Sequence, residues 1–262
     1  MKGLIIKDIL CLRKQLHITF FSVIGTVVIS VMFVLSARFG NIAMAGERML
    51  ADNQMTSTDV KNLGVQVLVL LMLLPIAAVG DMTNVFTADG KAGFDKVAAS
   101  FPIPIRQRVL ARFMTIFAMF FMSVTIDTIL AAVLSALTDL LSFGEFMGII
   151  LSGASVIGIY GSLLIFFCIL LGFGKESYAQ IFTLLLMILM AFIAGFRTIK
   201  MLWLVITEVI PEPVREDGSS FVWNTLDLVK DKWWIFVLTA VCISILSYTL
   251  SVLTAERKRG VI

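Results

Sequence analysis

The segment from Phe146 to Phe173 reads FMGIILSGASVIGIYGSLLIFFCILLGF and carries no charged residue. A bilayer core is about 30 Å thick, so a helix needs roughly 20 mostly apolar residues to cross it. The segment exceeds that length, and we therefore predict that it forms a membrane-spanning helix. Its small residues recur at intervals of four, a spacing that lets helices approach closely: Gly148 and Ser152, then Ala154, Gly158 and Ser162. This pattern favours packing within the chain, with dimerisation of two copies as the alternative.

The composition of the whole chain excludes a soluble globular protein. Of its 262 residues, 59% are apolar and 15% are charged, and the mean hydropathy is +1.00, whereas soluble domains average roughly 45–50% apolar and about 25% charged residues. The net charge is only +3, and no basic run is longer than Arg257-Lys258-Arg259, so nucleic acid is not expected as a partner. The cysteines lie far apart, which predicts neither a disulfide framework nor a metal site: Cys11, Cys168 and Cys242.

Five further segments are long and apolar enough to be spans, at residues 16–36, 63–80, 113–137, 178–196 and 233–253. Together with 146–173, they leave too little polar surface to enclose them as the core of a soluble protein. We predict an all-α integral membrane protein with six transmembrane helices in a single transmembrane domain over residues 1–262. The first segment is longer than the roughly 7–15 apolar residues of a signal peptide, so we expect it to be retained.

Lys and Arg residues are unevenly distributed between the two sides of the predicted spans. If the N-terminus is cytoplasmic, the basic residues of segments 1–15 and 81–112, the 174–177 turn and the C-terminus share its side and outnumber those on the other side. Because basic residues concentrate in cytoplasmic loops, both termini are predicted to be cytoplasmic. Residues 197–232 then form an external loop, which either dips back into the membrane or lies on its surface.

The first 14 residues, MKGLIIKDILCLRK, show a helical periodicity. At about 100° per residue, Ile9 and Leu12 lie on one arc of a helix, and Lys7 and Lys14 lie on the opposite one. We predict an interfacial helix over residues 1–15 that lies on the membrane and leads into the first span. An unstructured basic tail is the alternative.

Residues 81–112 form the longest cytoplasmic segment in this topology, DMTNVFTADGKAGFDKVAASFPIPIRQRVLAR. A short helix over residues 94–99 is expected to end before Pro102 and Pro104, because the residue before a proline disfavours helical geometry. After the second proline, a helix can restart at Ile105 and run into the third span.

Two aromatic residues of this loop, Phe94 and Phe101, stand between charged residues on the predicted cytoplasmic side. A short helix that exposes such rings suits docking into a groove on another protein. A solvated connector is the alternative interpretation of the loop.

Four motifs of the chain together resemble those of bacterial ABC-2-type permease subunits, within the compact branch that includes exporters of amphipathic peptides such as phenol-soluble modulins. They are Lys2–Asp8 (KGLIIKD), Lys91–Lys96 (KAGFDK), Ser100–Ile103 (SFPI) and Arg106–Arg112 (RQRVLAR). The resemblance implies a subunit that exports a hydrophobic or amphipathic substrate, such as a peptide, across the bacterial cytoplasmic membrane. It also implies a homodimer, or a pseudo-dimer with a paralogue, that contacts membrane lipid and binds a separate ABC ATPase subunit.

The resemblance also implies where the ATPase subunit docks. In that family, the loop after the second span carries a coupling helix that sits in a cleft of the ATPase. Carried over to this chain, the ATPase-docking residues are Phe94, Asp95, Lys96, Phe101, Pro102 and Arg106.

The energy source is expected to come from the partner. A P-loop needs the pattern G-x-x-x-x-G-K-[ST] to cradle phosphates, and neither Gly90-Lys91 nor Gly174-Lys175 belongs to one. We therefore expect a transport subunit with no catalytic residues, cofactor or metal of its own. ATP and Mg are then bound by the ATPase subunit.

Asp127 is the sole acidic residue deep within a predicted span. An intramembrane charge costs roughly 2.5–3.5 kcal/mol on insertion scales, and it points to function by default. Asp127 is therefore a candidate for the translocation path, or it pairs with a basic residue of another helix. A buried Asp that fixes the helix register is the alternative.

Two other functional classes share some of these features. An immunity or sensory membrane protein without net transport would share the loop that docks on an ATPase. A membrane-embedded hydrolase has less support, because the only histidine, His17, lies at the mouth of the first span, and Gly153-Ala154-Ser155 is not followed by a glycine at position 157.

Overall fold

The computed structural model describes residues 2–39, 83–92, 103–137, 141–172, 174–207 and 232–259. Within these ranges, all regular secondary structure is α-helical. The helices, in chain order, are α1 (Lys2–Cys11), α2 (Arg13–Phe39), α3 (Thr83–Ala92), α4 (Ile105–Leu137), α5 (Phe143–Leu171), α6 (Glu176–Thr207) and α7 (Trp233–Arg259). The predicted all-α class is confirmed for the part of the chain that the structure describes.

Three of these helices, α4, α5 and α7, are long and apolar enough to cross a membrane. They cover almost all of the predicted spans at 113–137, 146–173 and 233–253. Their length and composition indicate a membrane protein.

The structure supports the predicted first and fifth spans less fully, and it does not describe the second. α2 and α6 contain shorter apolar stretches, Phe20–Ser36 and Glu176–Ala191, where the sequence predicts the first and fifth spans. α6 continues to Thr207, so this helix extends into the predicted external loop. The predicted span at 63–80 lies outside the described residues, and six spans stay a prediction.

α4 begins directly after Pro104, where the sequence allows a helix to restart. The carbonyl oxygen of Pro104 accepts hydrogen bonds from the backbone amides of Gln107 and Arg108, at 3.0 and 3.3 Å. Proline has no amide hydrogen, but the start of a helix needs no donor there. The helix continues to Leu137, so the end of the predicted loop and the predicted third span form one element.

A capping box starts α5. The Ser142 hydroxyl accepts a hydrogen bond from the Glu145 backbone amide at 3.4 Å, and a Glu145 carboxylate oxygen accepts one from the Ser142 amide at 2.8 Å. These bonds satisfy amides that the first helical turn leaves without partners. The Ser-x-x-Glu spacing before an apolar run therefore fixes where α5 begins.

The last turn of α5 is closed by a side chain of α7. The helix ends before Gly172, whose φ of 85° lies in the left-handed region that favours glycine. The Lys258 ammonium donates hydrogen bonds to the carbonyl oxygens of Ile169 and Leu170, both at 2.9 Å. A cation at this point also matches the partial negative charge of a helix C-terminus. The end of α7 is thereby fixed against the end of α5.

α5 packs against α4, α6 and α7. A Cβ atom at Gly161 would lie 3.4 Å from the Ile116 side chain of α4, so the absence of a side chain permits this close approach. Ser162, a member of the small-residue pattern, shares a buried hydrogen bond of 2.8 Å with Ser244 of α7. Ser162 therefore serves packing between helices of the same molecule, whereas a Cβ atom at Gly158, another member of the pattern, would meet no atom within 4 Å.

α1 lies in the region predicted to be interfacial, but it faces the rest of the chain differently from the prediction. Asp8 is 2% exposed and Leu12 is fully buried, whereas Ile6 and Leu10 are more than half exposed. Asp8 and Leu12 are four residues apart and therefore lie on the same face of a helix. This face is buried although it includes a charged side chain, because Asp8 pairs with Lys7, which in turn pairs with Asp89 of α3.

Candidate functional site

Four charged side chains from three helices meet beside the start of α4. We call this group the ionic cluster, and it consists of Lys7 and Asp8 of α1, Asp89 of α3 and Arg112 of α4. Asp8 is 2% exposed and Asp89 is 3% exposed. The two acidic and two basic side chains balance each other, so the ionic cluster has no net charge. Because charges are rarely buried unless they are paired, the ionic cluster constrains how the three helices are arranged.

Asp89 is the centre of the ionic cluster. Lys7 Nζ donates to both of its carboxylate oxygens, at 2.7 and 2.8 Å, and Arg112 Nη2 donates to Oδ2 at 2.5 Å. One carboxylate of α3 thus holds α1 and α4 together. Hydrogen bonds between ionised groups are about twice as strong as neutral ones. Removing one partner of a buried ion pair costs about 3–5 kcal/mol, because it leaves the other charge uncompensated.

α3 presents Asp89 from an otherwise apolar side. Val85 and Phe86 precede it by one helical turn, so the three residues lie on one face, and none of them is more than 3% exposed. The guanidinium carbon of Arg112 lies 4.3 Å from the centre of the Phe86 ring, in cation–π geometry. Arg112 is therefore held by a ring and a carboxylate of the same helix.

Two polar atoms of the ionic cluster have no hydrogen-bond partner among the described residues, Asp8 Oδ1 and Arg112 Nη1. Lys7 Nζ lies 2.8 Å from Asp8 Oδ1, which is close enough for an ion pair, but the two groups are not aligned for a hydrogen bond. A buried polar atom without a hydrogen bond costs about 1–3 kcal/mol. A shift of α1 against α4 can therefore bring Asp8 Oδ1 and Arg112 Nη1 together and form a further hydrogen bond.

Cys11 lies at the end of α1, next to the ionic cluster, and is half-buried. Burial raises the pKa of the Cys11 thiol; Asp89 and Asp8 raise it further, while Lys7 and Arg112 lower it. Because the thiolate is the reactive form of cysteine, this environment favours the unreactive thiol. Cys11 contributes packing beside the charges.

Asp127 lies on the buried side of α4 and is fully buried. Neither of its carboxylate oxygens has a hydrogen-bond partner within the ranges that the structure describes. Burying a carboxyl group without hydrogen-bond partners is costly. The contacts of the described helices do not offset this cost. Its place in a translocation path stays a prediction.

Of the residues predicted to dock on an ATPase, the structure describes only Arg106. The others lie outside the described residues: Phe94, Asp95, Lys96, Phe101 and Pro102. Arg106 is described, and its Nε donates to Glu256 Oε1 of α7 at 3.2 Å. Both side chains are exposed, so the pair lies on the surface and leaves Arg106 accessible to another molecule.

Sequence reasoning did not identify Asp89 and Arg112 as part of a site. Both lie in the segment 81–112, in which Arg112 was expected on the helix that restarts at Ile105. For Asp89, its spacing from Val85 and Phe86 was the available sign of a helical face. The pairing partner Lys7 is 82 residues from Asp89 in the chain, and no local pattern indicates so distant a contact.

Comparison with known proteins finds no match for this chain. The resemblance to ABC-2-type permeases rests on the motifs in the first residues and in the 81–112 loop, and family membership stays a prediction. No protein-family model matches the chain, and neither does any curated protein or solved structure.

Proposed function

We propose that the chain is the permease subunit of a bacterial ABC exporter. In this proposal, six transmembrane helices cross the cytoplasmic membrane, both termini are cytoplasmic, and two identical or paralogous permease subunits form the complex. A separate ABC ATPase binds ATP and Mg, and the exported substrate is hydrophobic or amphipathic, such as a peptide. The observation that supports the proposal best is the ionic cluster, because it joins the proposed ATPase-facing segment to a membrane helix.

α4 is suited to carry movement from that segment into the membrane. It is a single helix of 33 residues, about 50 Å long at 1.5 Å per residue, and it starts at the end of the proposed docking loop, residues 81–112. Sharp kinks in helices arise mainly at prolines, and α4 contains none. A displacement of the loop by the ATPase therefore moves the apolar part of α4.

The ionic cluster makes α1 and α3 follow α4. Asp89 holds Lys7 and Arg112 at the same time, so none of the three helices can shift alone without breaking a buried ion pair. The unsatisfied atoms of Asp8 and Arg112 offer an alternative pairing, which stabilises a second arrangement. Exchange between the two arrangements accompanies the ATPase cycle, and substrate affinity must differ between them for the cycle to do work.

The proposal is tested on the full chain and the ATPase subunit with which it co-purifies, reconstituted together in vesicles. Phe94→Ala combined with Phe101→Ala removes two rings from the docking loop, and a buried aromatic anchor contributes about 2 kcal/mol or more to an interface. We expect loss of ATPase recruitment or of peptide-stimulated hydrolysis, with membrane insertion unchanged. Phe121→Ala combined with Phe143→Ala is the matched control, because both rings are exposed on described helices outside the loop.

Three outcomes would count against parts of this proposal. Wild-type recruitment and hydrolysis in the Phe94 and Phe101 variant would make the loop a connector. A chain that recruits and stimulates an ATPase but exports no amphipathic peptide would favour an immunity or sensory protein. A chain that co-purifies with no ATPase would overturn the proposal.

A further inference from the structure

An apolar cleft opens between α4, α5 and α7. Its volume is about 370 Å³, and its walls combine aromatic rings with small residues, among them Phe113, Phe117, Gly158 and Tyr248. Lining side chains at the rim are about half exposed, such as Phe117 at 45% and Val241 at 50%. The cleft is therefore open on the outer side of the three helices.

The surroundings of this cleft favour hydrocarbon over water. Its three helices are those that are long and apolar enough to cross a membrane, so a bilayer around them surrounds the cleft with lipid tails. The hydroxyls of Ser155 and Ser244, which line it, already bond to the Leu151 carbonyl and to Ser162, at 2.6 and 2.8 Å. A water molecule needs about 2–4 polar partners to be bound in such a place. The cleft offers few, so a lipid tail is the better occupant.

The dimensions of the cleft fit one acyl chain. A methylene group is similar in size to a water molecule, which takes up about 30 Å³ in the liquid, so the cleft holds on the order of a dozen methylenes. Its lining residues on α4 run from Leu110 to Phe120, about 15 Å along the helix axis.

A charged group marks one end of the cleft. On α4, Arg106 precedes the lining residue Leu110 by one turn, and on α7, Glu256 follows the lining residue Tyr248 by two turns. The Arg106–Glu256 ion pair therefore spans the same seam between the two helices. The Arg106 side chain is 72% exposed. In the described part of the chain, only its Nε is engaged, so the terminal amino groups of the guanidinium can bind a phosphate.

We propose that this cleft binds a glycerophospholipid, with one acyl chain between α4, α5 and α7 and the phosphate on Arg106. A basic side chain at the end of a groove between membrane helices is the arrangement by which membrane proteins select lipid headgroups. The lipid site requires only that these three helices cross the membrane. It is independent of the export function, and Arg106 is tested here without any ATPase present.

Gly158 offers a way to fill the cleft. A Cβ atom at this position meets no atom within 4 Å, so the side chain of Gly158→Leu starts in open space and takes up volume of the cleft. Gly144→Leu is the matched control, because Gly144 lies on the same helix and has the same open space at its Cβ but does not line the cleft. Native mass spectrometry of the full chain in detergent, titrated with phosphatidylglycerol, counts bound lipid. We expect Gly158→Leu to weaken the tightest binding step by about tenfold and Gly144→Leu to leave it unchanged.

Arg106→Gln tests the phosphate contact. The probes are phosphatidylglycerol and a diacylglycerol with the same acyl chains, which lacks the phosphate. We expect the wild-type chain to prefer phosphatidylglycerol, and Arg106→Gln to lose that preference while binding diacylglycerol as before.

The same spectra contain the results that would overturn the lipid site. Equal phosphatidylglycerol binding by the wild type and Gly158→Leu would show that the lipid sits elsewhere. A wild-type dimer that becomes monomeric in Gly158→Leu, without loss of lipid, would assign the cleft to a second copy of the chain. A phosphatidylglycerol preference that survives Arg106→Gln would exclude Arg106 as the phosphate ligand.

Discussion

Asp89 forms ion pairs of 2.7 and 2.5 Å and Arg106 forms one of 3.2 Å, in very different surroundings. The pairs of Asp89 with Lys7 and Arg112 are withdrawn from water, whereas the pair of Arg106 with Glu256 is exposed. Water and salt screen an exposed pair, which contributes about 0–1 kcal/mol. A buried pair that loses one partner leaves a charge in a medium that solvates it poorly. The same chemical change therefore has different effects at the two sites.

We expect Asp89→Asn to lower the free energy of unfolding by about 3–5 kcal/mol, because Arg112 then stays buried without a counter-charge, whereas Lys7 keeps Asp8. Glu256→Gln makes the same change at the exposed pair and should lower it by less than about 1 kcal/mol. Denaturant titration of the purified chain in detergent, followed by circular dichroism, measures both values. Equal effects of the two substitutions would contradict the structural role of the ionic cluster.

At the scale of the element, α5 is bounded by side chains at both ends. Ser142 and Glu145 satisfy the first amides, and Lys258 of α7 satisfies carbonyls of the last turn. Most of the helix between these ends is apolar and cannot fix its own limits. The polar groups at the ends therefore fix where α5 starts and ends, and Lys258 also joins its last turn to α7.

Ser142→Ala removes the acceptor of the first turn of α5, and we expect it to cost about 1 kcal/mol. Hydrogen exchange at the Glu145 amide should accelerate about fivefold, which corresponds to that free energy. Ser142→Asp keeps an acceptor and should exchange as the wild type does. Ser135→Ala, which removes a hydroxyl near the end of α4, serves as the control. Unchanged exchange in Ser142→Ala would show that packing alone fixes the start of the helix.

The segment 81–112 shows which elements could be predicted from the sequence. The start of α4 after Pro104 is encoded locally by the geometry of proline. α3 is not, because it contains Gly90, which weakens a helix by about 1 kcal/mol relative to Ala. Its charged partners lie far away in the chain, with Lys7 82 residues from Asp89. The membrane character needs only length and composition and was therefore predictable, whereas the ionic cluster depends on tertiary contacts that no local pattern encodes.

At the scale of the whole molecule, three contacts gather several helix ends on one side. The Arg106–Glu256 pair brings the start of α4 to the end of α7, and Lys258 brings the end of α7 to the end of α5. The ionic cluster lies beside the start of α4 as well. The proposed topology places the start of α4 and the ends of α5 and α7 on the cytoplasmic side. The contacts between these helix ends therefore agree with the topology inferred from the Lys and Arg distribution.

Reporter fusions test this orientation. We expect a reporter at Lys91 or after the C-terminus to read cytoplasmic and one at Glu216 to read external, because Lys and Arg concentrate on the side of the N-terminus. Paired alkaline phosphatase and fluorescent-protein fusions give opposite readouts at each position. An external signal at Lys91 would reverse the topology and remove the 81–112 loop from reach of a cytoplasmic ATPase.

Lys7 and Asp89 are 82 residues apart in the chain, so the ribosome releases the lysine long before its partner has been made. In the proposed topology, the first span enters the membrane before Lys7 can pair with Asp89, and the basic residues of the N-terminal segment keep α1 in the cytoplasm. After α3 has been synthesised, Asp89 withdraws the same ammonium group from water. In this topology, Lys7 and Asp89 can meet only after the first two spans have been inserted in the correct orientation. The Lys7–Asp89 ion pair therefore forms only in a correctly inserted chain.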